Sequence, residues 1–157
     1  MKHFLKVFLL VMLIGLLGCS PLESLTKDRP KLNLSEFKDK MESNDFVVLD
    51  VSTQFSEEKH VEGVYIAQKD NYEIEFFYLN NNENAVKVFN GNKATIDREK
   101  GESSFSTNQN IRNFSSYALK TDGSFKYISR IDNTFLYLNV AEEYEEEVRF
   151  ILEKLGY

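Results

Sequence analysis

Residues 66–80 read IAQKDNYEIEFFYLN. Asp70-Asn71 at their centre is a two-residue hairpin signal, because both residue types tolerate positive φ. Beyond the turn Tyr72, Ile74, Phe76 and Tyr78 alternate with Glu73 and Glu75. A period of two places the aromatic and aliphatic side chains on one face of a strand and the carboxylates on the other. The stretch is therefore the heart of an antiparallel hairpin, with strands over 61–69 and 72–79.

A second stretch, residues 128–140, ISRIDNTFLYLNV, repeats the pattern around Asp132-Asn133. Superposing the two Asp-Asn turns equates Glu73, Glu75 and Phe77 with Phe135, Tyr137 and Asn139. Each hairpin is followed by a polar or acidic start to an amphipathic helix, which suggests two α-β-β-β units. Identity is confined to the turn region, so two hairpins alike by chance are the competing explanation.

Working outward, residues 35–42 form a first helix with Ser35 as N-cap and Leu34, Phe37 and Met41 on one side. Residues 46–51, FVVLDV, are a strand. Asn80 to Asn84 cap a second helix that carries Ala85, Val86, Phe89 and Ile96. Residues 97–113 are polar and predict a mobile loop. Strands follow over 114–120, 124–131 and 134–140, with Asp122-Gly123 as a further hairpin turn. The last helix is the clearest, since Tyr144, Val148, Ile151, Leu152 and Leu155 recur at helical spacing. The expected fold class is α+β: an antiparallel sheet of about six strands with helices packed on one face.

The N-terminus has a different character. Residues 1–18, MKHFLKVFLLVMLIGLLG, place Lys2 and Lys6 before an apolar run from Val7 to Leu17. Such a run spans about 16 Å as a helix, roughly half a hydrocarbon core. It is too short for a comfortable transmembrane anchor and has the layout of a signal peptide. Its end, Leu16-Leu17-Gly18-Cys19, resembles the lipobox of bacterial lipoproteins. The resemblance covers about twenty residues. It implies a diacylglyceryl group on the Cys19 thiol, cleavage between Gly18 and Cys19, and fatty chains of the palmitate type in the membrane. Three segments follow: a signal peptide over 1–18, a lipidated tether over 19–31, and one α+β domain over 32–157. The expected location is the extracytoplasmic side of a cell membrane, within the cell envelope.

Charge and cysteine content exclude several function classes. The chain has 19 basic and 25 acidic residues, and the leader takes Lys2 and Lys6 with it, leaving a net charge of about −8. That balance opposes nucleic-acid binding. Cys19 is the sole cysteine, so neither an internal disulfide nor a thiolate metal cluster can form. Glycine-rich phosphate loops, zinc spacings and dinucleotide fingerprints are missing from the sequence, and no cofactor is expected.

Three groups of side chains are candidates for chemistry. His60 lies in the polar segment SEEKHVEG, near Asp50, Ser52 and Ser56, without a catalytic signature around it; a solvated loop histidine explains it. Glu142, Glu143, Glu145, Glu146 and Glu147 lack the spacing of a calcium loop and complement the start of a helix dipole. Glu73 and Glu75 share a strand face, about 7 Å apart, where paired carboxylates could do acid–base work or simply meet solvent. By the repeat, that face also bears Phe77, Phe135 and Tyr137. Aromatic rings on a face that should be wet indicate a binding surface, cross-strand packing, or cover by the 97–113 segment. The leading expectation is a non-catalytic module that binds a protein or small molecule through Phe77, Phe135, Tyr137, Glu73 and Glu75. The alternatives are an envelope hydrolase and an immunity-type blocking lipoprotein.

Overall fold

The computed structural model describes residues 27–157; the expected leader and lipobox, with Cys19, lie outside them. Among the described residues no helix is long and apolar enough to cross a membrane. The elements run α1 (Leu34–Glu42), β1 (Val47–Asp50), a short 3-10 turn (Ser52–Phe55), β2 (Val61–Lys69), β3 (Tyr72–Leu79), α2 (Asn82–Asp97), β4 (Phe105–Ile111), β5 (Phe114–Thr121), β6 (Ser124–Ile131), β7 (Thr134–Ala141) and α3 (Glu145–Leu155).

All strand pairs are antiparallel, in the order β1-β2-β3-β7-β6-β5-β4. Two meanders thus meet along one ladder, in which Ile74 faces Leu138, Glu75 faces Tyr137 and Phe77 faces Phe135. Positive φ falls on the first residue of each two-residue turn, at Asp70, Arg112, Asp122 and Asp132. Aspartate suits these sites because its short polar side chain lowers the cost of the left-handed region.

The seventh strand, β4, lies in the segment expected to be a loop. Its sequence, FSTNQNI, lacks alternation because it is an edge strand, largely exposed on both sides. Backbone pairing with β5 from Phe105↔Lys120 to Ile111↔Phe114 holds it, and that pairing asks nothing of side-chain polarity. A second difference concerns α1, whose N-cap is Asn33 rather than Ser35. The Asn33 side chain accepts from the Glu36 N–H at 2.9 Å while the Glu36 carboxylate accepts from the Asn33 N–H at 2.8 Å, a reciprocal capping box.

Helices cover both faces of the sheet, not one. Phe37 and Met41 of α1 and Val148, Ile151, Leu152 and Leu155 of α3 pack with Tyr72, Ile74, Phe76, Leu136, Leu138 and Val140. Ala85, Phe89 and Ile96 of α2 pack on the opposite face with Leu79, Tyr117, Leu119, Ile128 and Phe135. Strands β5 and β6 are buried on both sides, with Tyr117, Leu119 and Ile128 toward α2 and Phe114, Ala118, Phe125 and Tyr127 toward the other layer. On the first face Gly63 leaves its Cβ space to the Leu34 side chain, where β2 shifts register against β3.

Part of the expected tether belongs to the domain. The Arg29 N–H donates to Asn113 Oδ1 and Asn113 Nδ2 donates back to the Arg29 carbonyl, both at 2.9 Å. The Arg29 guanidinium lies 3.5 Å above the Phe114 ring, and Lys31 Nζ donates to Asn133 Oδ1 at 2.7 Å.

The Phe37 and Phe76 rings stack at 4.4 Å and both side chains are fully buried. Phe37→Ala should therefore cost about 3–5 kcal/mol of unfolding free energy in urea titrations; a loss below about 1 kcal/mol would contradict this packing.

Candidate functional site

Helix α2 is fixed at both ends over the second face. Asn81 caps its start by accepting from the Asn84 N–H at 2.8 Å, and Arg130 Nη1 donates to Asn82 Oδ1 at 3.1 Å. At its end the Tyr117 hydroxyl donates to Asp97 Oδ1 at 2.6 Å. This bond and the Lys100 ammonium hold the Asp97 carboxyl below its ordinary range, the lysine contributing more. The helix covers the β5, β6 and β7 side of the face and leaves a cleft where β2 and β3 emerge from beneath it.

The cleft has a volume of about 620 Å³, within the range of small-molecule sites. Its floor is Glu75, Phe77, Phe135 and Tyr137. One wall is the stripe Val88, Asn92, Thr95 and Glu99 of α2 and its extension; the other is Phe55, Glu58, His60 and Val61. Phe77 joins the floor to that wall, its ring edge-on to Phe55 at 5.5 Å and tilted against Phe135 at 5.9 Å.

Phe55 owes its place to a compact local device. Asp50 Oδ1 accepts from both the Ser52 N–H, at 3.0 Å, and the Ser52 hydroxyl, at 2.6 Å. Ser52 Oγ in turn accepts from the Val64 N–H at 3.0 Å, which pins the 3-10 turn to β2. The Ser52 bonds pull the Asp50 carboxyl below its usual range. Asp50 and Ser52 thus serve the turn, and the nearest acid to His60 is Glu58, whose Oε2 is 3.7 Å from His60 Nδ1.

The structure brings together four of the five residues singled out from the sequence, Glu75, Phe77, Phe135 and Tyr137, and adds His60 to them. Glu73 stands apart. It is exposed, accepts from Gln68 Nε2 at 3.1 Å, and borders a shallow polar depression near Asn139. Adjacent alternation on one strand face did not make a carboxylate pair in one site. Phe135 is buried, with α2 and not the 97–113 segment as its cover. Three glutamates of the acidic run at and before the start of α3 make ion pairs: Lys120 Nζ reaches Glu142 at 2.7 Å and Glu145 at 2.9 Å, and Lys69 Nζ reaches Glu147 at 2.8 Å. Among the described residues no cluster of His, Cys, Asp and Glu could hold a metal ion.

Phe55 and the α2 wall were not legible as site residues. Val88, Asn92, Thr95 and Glu99 do follow helical spacing, so a second stripe beside Ala85, Phe89 and Ile96 was the available signal.

Glu75 is the unusual group of the cleft. It is half-buried among aromatic rings and has no hydrogen-bond partner among the described residues. Burial, and secondarily the Glu73 charge, push its carboxyl above the ordinary range. Across the ladder, burial also raises the Tyr137 phenol. Lys126, the cation nearest this floor, is engaged by Glu99.

A larger cleft, about 690 Å³, lies on the other side of the sheet between the Lys27–Pro30 strap and α3. Two of the cations that line it are engaged by neighbouring rings, Arg29 lying over Phe114 and Arg149 over Phe125 at 4.6 Å.

No protein family, curated protein or solved structure matches this chain.

The raised Glu75 carboxyl has a signed consequence. Between its unfolded and folded pKa values the folded chain binds more protons, so this group lowers stability as pH rises through that window. Glu75→Gln should melt above the parent at pH 7.5, with the difference shrinking as pH falls through that window to the ordinary glutamate range. Thermal melts across pH test this, and an unchanged or lowered melting temperature at pH 7.5 would contradict it.

Proposed function

We propose that the chain is an exported lipoprotein, held on the extracytoplasmic side of a cell membrane by a lipid on Cys19, whose domain binds a small ligand beneath α2 without catalysis. The observation that carries the binding reading is the concave floor of Glu75, Phe77 and Tyr137, half-buried and backed by Phe135. Pockets that hold small molecules combine apolar lining with a few convergent polar groups. Here four rings supply the first, while Glu75, Asn92, Thr95 and His60 supply the second. The lipid anchor rests on the apolar run of residues 7–17 ending at the sole cysteine. Two acyl chains suffice for stable attachment where one does not.

The two hairpins are read as copies of one ancestral unit. The alignment of their Asp-Asn turns equates Glu75 with Tyr137, and these residues face each other across β3 and β7. The floor of the cleft then lies on the approximate two-fold axis of the sheet, with α2 breaking the symmetry by occupying the face opposite α1 and α3.

Envelope hydrolysis is the second reading, favoured by the presence of His60 and Glu75 in one cleft. A carboxyl whose pKa is raised by burial can serve as a general acid. Turnover of an ester or glycoside that falls by more than about a hundredfold in both His60→Ala and Glu75→Gln would favour it.

Two measurements test the leading reading. Mass spectrometry of protein extracted from its native host should find a chain beginning at diacylated Cys19; a free thiol with the leader attached would refute the anchor. A fragment screen by NMR on the labelled full chain should place its hits on the amides of Phe77, Val88 and Tyr137. Thr95→Arg, on the exposed rim, should weaken those hits about tenfold or more while changing stability by no more than about 0.5 kcal/mol. Hits scattered away from the cleft would overturn the binding reading, and capture of a protein partner in their place would favour a blocking role.

A further inference from the structure

We propose that the ligand of this cleft is an organic cation, an ammonium or guanidinium group on an apolar body, with Glu75 as its counter-ion and the Phe77 and Tyr137 rings as its bed. The inference rests on the cleft being a binding site and adds the chemical class that it takes.

The charges around the cleft point one way. Glu58, Glu75 and Glu99 line it, and among the described residues His60 is the only basic side chain that does. His60 stands beside Glu58, and Lys126 at the far margin is bonded to Glu99. Glu75 alone has neither a cation nor a donor within bonding distance among the described residues. A half-buried carboxylate without a donor forgoes interactions that water would supply. A ligand ammonium restores them with its N–H groups and its charge together. An anionic ligand would instead meet the uncompensated Glu75 carboxylate, and a purely apolar one would bury Glu75 further without a partner.

The rings act in the same sense. Phe55, Phe77, Phe135 and Tyr137 line the same cleft as the carboxylate, Tyr137 directly opposite it on β7, and aromatic faces attract cations through their quadrupole. Aromatic walls with an adjacent carboxylate leave the apolar part of such a ligand dry while its head is paired. The net charge of the whole chain, −6, raises the local concentration of cations rather than anions. A volume of about 620 Å³ admits a substituted amine of moderate size and is too large for a bare metal ion.

The test compares matched probes on the full chain in a neutral detergent, by calorimetry and by amide shifts at Phe77 and Tyr137. The probes are 2-phenylethylamine, 2-phenylethanol, 3-phenylpropanoate, decyltrimethylammonium and spermidine. At least one cation should bind in the cleft about tenfold tighter than the matched alcohol, equivalent to about 1.4 kcal/mol. Propanoate should bind more weakly still, and Glu75→Gln should remove the preference for the cation. Thr95→Lys, which brings an ammonium of its own to the rim, should weaken amines and strengthen propanoate. If the alcohol or propanoate binds as well as the amine, or if Glu75→Gln leaves the preference intact, the cation inference falls while the cleft stands as a site. If none of the five probes moves a cleft amide at millimolar concentration, both fall.

Discussion

Pairing between β3 and β7 is the constraint on which the rest of the molecule depends. It is a ladder of only five residue pairs, from Ile74↔Leu138 to Tyr78↔Thr134, yet it joins two meanders that are otherwise built from local hairpins. Local strand pairing closes small loops and forms early at little entropic cost, whereas this ladder must bring together segments separated by α2 and three strands. Once it forms, both apolar faces become continuous across the sheet. α1 and α3 can then cover one and α2 the other.

That arrangement also explains where the cleft falls. α2 is tied down over the second meander by Tyr117 and Arg130, both of which belong to β5 and β6. Its reach toward the first meander ends near Phe77. The cleft is the seam between a covered and an uncovered half-sheet, and its floor is the ladder that joins them. Glu75 is the second residue of this ladder on β3, opposite Tyr137. A polar group at that position would be unremarkable on an open sheet; overhung by a helix, it becomes the only carboxylate of the floor.

Much of this was legible in the sequence. Strict alternation after Asp70-Asn71 and Asp132-Asn133 marked both hairpins, and apolar residues at helical spacing marked α3. What could not be read was what period-two patterns leave undefined. β4 carries its pairing in the backbone, so Ser106, Thr107, Asn108, Gln109 and Asn110 signal nothing. The second helical layer was hidden because alternation within β3 implies one wet face, and β6 carries Lys126 and Arg130 beside Ile128 on the side that α2 covers. For the cleft, the shared face of Glu75, Phe77, Phe135 and Tyr137 followed from register alone. The opposing wall did not, because it depends on how α2 is rotated over the sheet, and that is set by tertiary bonds at its two ends.

The strap at Arg29 gives the chain a mechanical property. Any pull arriving from residues upstream of Asp28 meets the reciprocal Arg29–Asn113 hydrogen bonds and the Arg29–Phe114 stack before it reaches a strand ladder. Those contacts can break and re-form while the sheet stays whole, so the strap behaves as a sacrificial link. A chain held at its N-terminal end would lengthen by a few residues under load, with the cleft beside α2 left undisturbed.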